Sequence, residues 1–214
     1  MRDKGAVTRE KILRTARHLF HTKGFNAVSI SDLVDAVGMQ KGSLYYHFSS
    51  KDDLARAVFA AASEEFMAFL DRTLTPEGSA TALEQFFSSV LDGHIATGFV
   101  GGCLFGNTAL EMSDSNADFA RMVQDVFETW IRKLAFVVEQ AQRQDQISKE
   151  LSSGALATQI IATIEGGIMM SRLKKDETPL RQSLETLRNL VGLKGHNQTD
   201  AEEKDEVETA PGKT

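Results

Sequence analysis

Three observations predict an all-α fold. Apolar residues recur at helical spacing along most of the chain. Alternating runs rich in Val, Ile and Thr never persist, so strands are not expected. Only three prolines occur in 214 residues, at 76, 179 and 211, and none falls inside an expected helix core. A composition of 42% hydrophobic and 25% charged residues can bury a core and suits one compact unit, or a small domain joined to a medium one.

The first helix is expected from about Thr8, as its cap, to Lys23, with Ile12, Leu13, Ala16, Leu19 and Phe20 as its apolar stripe and Gly24 as its stop. A short second helix should follow Ser29-Ile30-Ser31-Asp32, a pattern resembling a capping box, bury Leu33, Val34 and Val37, and end at Gly38. A third covers about Lys41 to Phe48. Ser50-Lys51-Asp52-Asp53 opens a fourth, whose acidic first turn suits the helix dipole. Further helices are expected at about 80–97, 103–113, 117–145, 153–174 and 180–192, with turns at 75–79 and 98–102 and Pro179 near the start of the last. From Lys194 onward apolar residues thin to Ala201, Val207 and Ala210, and 194–214 reads as a disordered acidic tail.

Charge is unevenly divided. Residues 1–56 carry ten Lys/Arg against six Asp/Glu, a balance of +4, so the rest of a chain of net charge −6 carries −10. A basic head on an acidic body is the footprint of a nucleic-acid module joined to something else. No apolar run approaches the ~20 residues of a membrane span. No apolar stretch follows Met1-Arg2-Asp3-Lys4-Gly5, so no secretory signal is expected. Cys103 is the only cysteine, which excludes an intramolecular disulfide and a Cys-pair zinc site and favours a cytoplasmic setting. No cofactor or metal is expected, because neither a Gly-rich phosphate loop nor an HExxH pattern occurs.

The corner Val37-Gly38-Met39-Gln40 between two short helices makes Ser29 to Phe48 a candidate helix-turn-helix. Its second helix, Lys41-Gly42-Ser43-Leu44-Tyr45-Tyr46-His47-Phe48, holds both tyrosines of the protein. Leu44 and Phe48, four apart, should face inward. That leaves Gln40, Lys41, Ser43, Tyr45, Tyr46 and His47 to face out, where such groups can meet phosphates and base edges in a major groove. Tyr45 and Tyr46 also suit half-buried packing, and His47 suits packing on the first helix.

These residues resemble the TetR/AcrR family of transcriptional regulators. Thr8-Arg9-Glu10-Lys11-Ile12-Leu13, Ala16, Leu19-Phe20, Gly24-Phe25, Ser29-Ile30-Ser31-Asp32-Leu33, Ala36-Val37-Gly38, Lys41 to Phe48 and Ser50-Lys51-Asp52-Asp53-Leu54 follow its DNA-binding signature over 7–56. The resemblance implies a DNA-binding domain at 7–53 and a helical effector-binding and dimerisation domain at 54–193. It also implies that Ser29 caps its helix and reaches a phosphate. Gln40, Lys41 and Gly42 would enter the groove, Tyr45, Tyr46 and His47 would contact phosphates and bases, and Lys51 would meet the DNA backbone. The implied partners are a palindromic double-stranded operator, a second copy of the chain and a small-molecule effector whose binding moves the fourth helix. Repression is the expected outcome, with activation as the alternative.

For the body, the residues leave alternatives open. Ala157, Ile160, Ile161, Ile164, Ile168 and Leu173, with Gly166-Gly167 allowing close helix approach, and Leu180, Leu184, Leu187 and Val191 form apolar faces that suit a core or a dimer surface, and the resemblance implies the dimer. Phe66, Phe69, Phe86, Phe105, Phe127 and Trp130 suit a core or, as the resemblance implies, an effector pocket. Asn107 and Glu111 share one helix face and suit either an effector's polar group or simple capping and solvation. Cys103, at an expected helix N-terminus, is a candidate activated thiolate or a small residue packed at a tight start. Its Gly-Cys-Leu setting resembles a subgroup that includes electrophile-sensing repressors. A thiol enzyme pairing Cys103 with His94 lacks a third orienting group, so no enzyme is expected.

Overall fold

The first turn of helix forms earlier than Thr8. In the computed structural model, which describes residues 4–75 and 79–193, α1 runs Lys4–Lys23. Thr8 therefore does not cap it: its hydroxyl donates back to the Lys4 carbonyl at 3.0 Å, one turn into the helix. The expected acidic tail, and residues 76–78 of the turn before Ser79, lie outside the described residues.

The remaining helices follow their caps. Ser29 accepts from the Asp32 N–H at 3.1 Å while the Asp32 carboxylate accepts from the Ser29 N–H at 2.8 Å, so the capping box closes and α2 spans Ile30–Val37. Gly38, at φ +74°, ends it, and α3 follows at Lys41–His47 with buried Phe48 as its C-cap. Ser50 caps α4, Lys51–Thr73, by accepting from the Asp53 N–H. The chain continues through α5 (Ser79–Ala96), α6 (Leu104–Met112), α7 (Ala117–Arg143), α8 (Ser153–Lys174) and α9 (Thr178–Val191), with Pro179 in the first turn of α9. Among the described residues there are nine helices and no strand.

Two apolar cores organise these helices. One joins Leu70, Leu83, Phe86 and Phe87 of α4 and α5 to Trp130, Leu134 and Val138 of α7, to Ile160 and Ile164 of α8, and to Leu180, Leu184 and Leu187 of α9. The other packs Ile12, Ala16 and Phe20 of α1 with Leu33, Val37, Leu44, Phe48, Leu54 and Val58, and runs on into Phe105 and Met112 of α6 and Phe119, Val123 and Val126 of α7. The helix-turn-helix thus shares a continuous core with α6 and the first half of α7. Phe66, Met67, Cys103 and Phe127 touch both cores.

The dimer-face expectation needs correction. Ile160, Ile161, Ile164, Ile168, Leu184 and Leu187 are all buried within a single chain. They pack α8 against α7 and α9, and a Cβ at Gly167 would come within 2.9 Å of the Ser183 hydroxyl oxygen, so that glycine serves the close α8–α9 crossing inside the chain. The outward side of α8 carries Ala162, Gly166, Met169 and Leu173, spaced four, three and four apart, of which Gly166 and Leu173 belong to the expected face. Met169 is 62% and Leu173 85% exposed, and a Cβ at Gly166 would meet nothing within 4 Å. α8 is apolar on both sides, so periodicity could not tell its inner face from its outer one.

Candidate nucleic-acid interface

α3 presents its polar residues as its spacing requires. Leu44 and Phe48 are buried beneath it, and the Arg9 guanidinium lies 5.0 Å from the centre of the Phe48 ring. Gln40, Lys41, Ser43, Tyr45 and Tyr46 are exposed and His47 is partly so. Tyr46 is 86% exposed, far more than a ring of that size shows when it serves packing. Its neighbour His47 meets it edge-on at 5.2 Å, and the Lys41 ammonium sits 5.9 Å over Tyr45. A Cβ at Gly42 would touch nothing, so the outer side of the first turn is open to close approach. Gln40, Gly42, Ser43, Tyr46 and His47, with Thr8 and Met39, line a shallow concavity of about 500 Å³ between α3 and α1. Ser29 stays exposed, with its hydroxyl engaged in the cap of α2.

Lys51 is placed otherwise than expected. Its ammonium donates to the Phe25 carbonyl at 2.9 Å and the Val28 carbonyl at 3.0 Å, and lies 4.2 Å from the centre of the Phe25 ring. It holds the α1–α2 turn. Lys11 does similar work at the end of α2, donating to the Val37 carbonyl at 2.7 Å.

The two carboxylates of the head caps, Asp32 and Asp53, are held below the usual carboxylate range. Asp32 is lowered by hydrogen bonds from the Ser29 hydroxyl and N–H, and Asp53 by those from the Ser49 N–H and hydroxyl.

In the body, the six aromatic candidates do come together. Phe66 stacks near Phe69 at 6.1 Å and reaches Phe105 at 5.1 Å and Trp130 at 5.0 Å; Phe86 lies 6.2 Å and Phe127 5.9 Å from Trp130. They form one aromatic cluster contributed by α4, α5, α6 and α7.

Asn107 and Glu111 do not join that cluster. The Asn107 amide donates to the Gly101 carbonyl at 2.6 Å, and its oxygen accepts from Arg172 at 2.9 Å. Glu111 reaches out to the head and accepts the Phe25 N–H at 2.9 Å and the Asn26 N–H at 2.6 Å.

Cys103 caps α6 through its sulfur, which accepts the Gly106 N–H at 3.4 Å. Of the two readings of Cys103, an activated thiolate or a packed small residue, its surroundings favour the second. Burial, and then the nearby Glu165 carboxylate, push the thiol well above its ordinary value and outweigh the helix N-terminus. His94 is not its base: it stacks on Phe99, while Glu165 is the acid beside the thiol.

Glu165 escaped the sequence reading. It is the one charged residue between Ser153 and Ser171 of α8, and that isolation was the available signal. Burial raises its carboxyl above the usual range. One of its oxygens, Oε1, is buried without a hydrogen-bond partner, as is the indole Nε1 of Trp130. Gly106 leaves the space that its other oxygen occupies.

Comparison with known proteins agrees with this geometry. Residues 12–58 match the family profile described as bacterial regulatory proteins, tetR family, and residues 79–187 match the tetracyclin repressor-like C-terminal domain. The transcriptional regulator AcuR of Cereibacter sphaeroides is 29% identical over 186 residues, covering 85% of this chain and 84% of its own. The HTH-type transcriptional repressor DhaR of a Mycobacterium species is 26% identical, covering 82% and 88% respectively. The crystal structure of regulatory protein TetR from Rhodobacter sphaeroides superposes with a TM-score of 0.80 at 27% identity, covering 86% of this chain and 99% of that one. One profile falls on the helix-turn-helix and the other spans just over half the chain, so the protein belongs to the TetR family of DNA-binding transcriptional regulators.

Proposed function

We propose that the protein is a homodimeric repressor that holds a palindromic operator with two copies of α3 and lets go when a small molecule enters the aromatic region of the body. The observation that carries this reading is Tyr46, 86% exposed on a helix whose inward residues are fully packed. Gln40, Lys41, Gly42, Ser43, Tyr45, Tyr46 and His47 are the proposed contacts to bases and phosphates. DhaR, a relative described as a repressor, supports the sign of regulation.

A single α3 reads few base pairs, so a second copy placed in the next major groove, ~34 Å away, supplies the specificity. The outward row of α8, Ala162, Gly166, Met169 and Leu173, together with Leu190 of α9, is the proposed contact between copies. Its small residues permit close helix approach, and its exposed large ones need cover. Residues 7–53 are the proposed reading head and 54–193 the proposed control body, with no catalytic role. None of the helices among the described residues is long and apolar enough to cross a membrane, and we place the protein in the cytoplasm with its DNA.

Effector binding acts by favouring a body conformation in which the two heads no longer match the groove spacing. α4 begins in the head and passes the aromatic cluster at Phe66 and Phe69, which makes it the direct link. The test is a binding titration on an operator mapped by genomic footprinting. Tyr46→Ala should weaken binding at least about tenfold while leaving thermal unfolding unchanged. Unchanged affinity, or a protein that is monomeric at micromolar concentration, would sink the reading.

A further inference from the structure

α4 is not the only connection between head and body. The turn between α1 and α2 is gripped from two sides. Lys51 takes its carbonyls, those of Phe25 and Val28. Glu111, at the far end of α6, takes two consecutive N–H groups, those of Phe25 and Asn26, one on each carboxylate oxygen. The fit is close. Gly24 stands at φ +90°, and a Cβ there would come within 3.1 Å of Glu111 Oε2. Hydrogen bonds from backbone N–H groups to an ionised carboxylate are shorter and stronger than those between neutral groups. The turn ends at Ser29, whose capping box starts α2, so whatever holds the turn orients α2 and α3.

The other end of α6 is fastened to α8. Arg172 donates to Asn107, Asn107 donates to the loop carbonyl of Gly101, and Gly106 packs on Glu165. The same loop meets the head, where the His21 ring nitrogen lies 2.7 Å from the Gly102 carbonyl oxygen. α6, nine residues and so about 13 Å long, therefore spans from the helix bearing the proposed contact between copies to the turn that launches the DNA-reading helices.

The structure assigns Glu111 as the residue that fixes the pose of each head relative to the dimer axis, and hence the half-site spacing that the dimer accepts. The inference rests on the dimeric-operator reading above. With Glu111 in place the head is joined to the body by α4, by the apolar core it shares with α6 and α7, by the His21–Gly102 contact and by this carboxylate, which holds the α1–α2 turn. Without it the α1–α2 turn loses its polar hold on α6, the apolar contacts alone resist tilting of the head, and the two copies of α3 reach half-sites over a wider range of separations. The intrinsic fit of one α3 to one half-site stays as it was, because the carboxylate bonds to the turn at Phe25 and Asn26, ahead of α2 and α3.

The experiment uses full-length wild type, Glu111→Ala, Glu111→Gln and Asn107→Ala, the last breaking the strut at its other end. The probe is a pool of duplexes carrying two randomised half-sites separated by spacers of varied length. The spacing each variant enriches is read by sequencing. Affinity is then measured for the enriched duplex, for the same duplex with one base pair added or removed between half-sites, and for a single half-site. Wild type should discriminate sharply between spacings. Glu111→Ala and Asn107→Ala should lose roughly tenfold of that discrimination, with single half-site affinity unchanged. Glu111→Gln, which keeps one acceptor, should fall between and carries the test should the alanine variant fail to fold. A variant that keeps the wild-type spacing preference overturns the assignment. So does one whose affinity for the single half-site drops in step with that for the pair, since that marks damage to the head itself. Were wild type to enrich no paired half-sites, the dimeric-operator reading would fail and take this inference with it.

Discussion

Two carboxylates of the head and one in the interior of the body are treated in opposite ways. Asp32 and Asp53 sit at helix starts in the head, accept hydrogen bonds from adjacent serines, and are held below their ordinary range. Glu165 lies inside the body, is pushed above its range by burial, and keeps one oxygen without a partner. Trp130 adds an unpartnered N–H in the same region of packed aromatic rings. A head that shows no unpartnered buried side-chain N or O atom among the described residues suits a rigid reader of a fixed surface. A body that buries unsatisfied polar groups is under tension that a hydrogen-bonding guest, or a change of packing, can relieve.

The contrast can be broken most forcefully at Glu165. Glu165→Met removes the orphaned oxygen and should raise stability at pH 8 by about 1–3 kcal/mol in thermal or denaturant unfolding. The sign follows from the raised carboxyl. The unfolded chain releases its proton at lower pH than the folded one, so the wild type loses stability as pH rises through the folded value. The gain from methionine should accordingly shrink as pH falls towards 4.5. A destabilised Glu165→Met protein would mean that the carboxylate is already well paired, and the contrast would disappear.

Ser29→Ala tests the head's side at smaller magnitude. Loss of the cap on α2 should cost about 1 kcal/mol and raise amide exchange in its first turn. Acid acts on the same box in the direction opposite to that for Glu165. Asp32 binds its proton less readily in the fold, so its contribution is present near neutrality and is lost as pH falls through its lowered value. The smallest structural effect is expected at Cys103. Its suppressed thiolate should alkylate at least about tenfold more slowly than an exposed cysteine at pH 7, by mass spectrometry of iodoacetamide-treated protein. Equal rates would restore it as a sensor candidate.

Most of the fold was legible because its signals are local. Ser29 with Asp32, Ser50 with Asp53, Gly38 and Pro179 each mark a helix end through contacts within four residues. The outward face of α3 was legible for the same reason, since four-residue spacing alone puts Leu44 and Phe48 under α3 and Tyr46 outside. What misled was long-range. Glu111 finds its partners 85 and 86 residues away, and Lys51 finds its own 23 and 26 residues away. No pattern within either helix announces these. α8 misled in another way: with isoleucines on one side and Ala162, Met169 and Leu173 on the other, its composition names no inner face.

Lys51 also bears on how the protein trades ions with DNA. Each phosphate neutralised by a basic side chain releases condensed counterions, and the logarithm of affinity then falls by about 0.9 per phosphate for each tenfold rise in salt. An ammonium already shared between the carbonyls of Phe25 and Val28 and the ring of Phe25 has little to offer that exchange. Two copies withhold two such lysines. The salt response of the dimer should therefore be shallower, by about two units of slope, than one that counts both lysines as phosphate contacts. The ammonium that the family resemblance assigned to the DNA backbone instead shapes the turn that leads into α2 and α3.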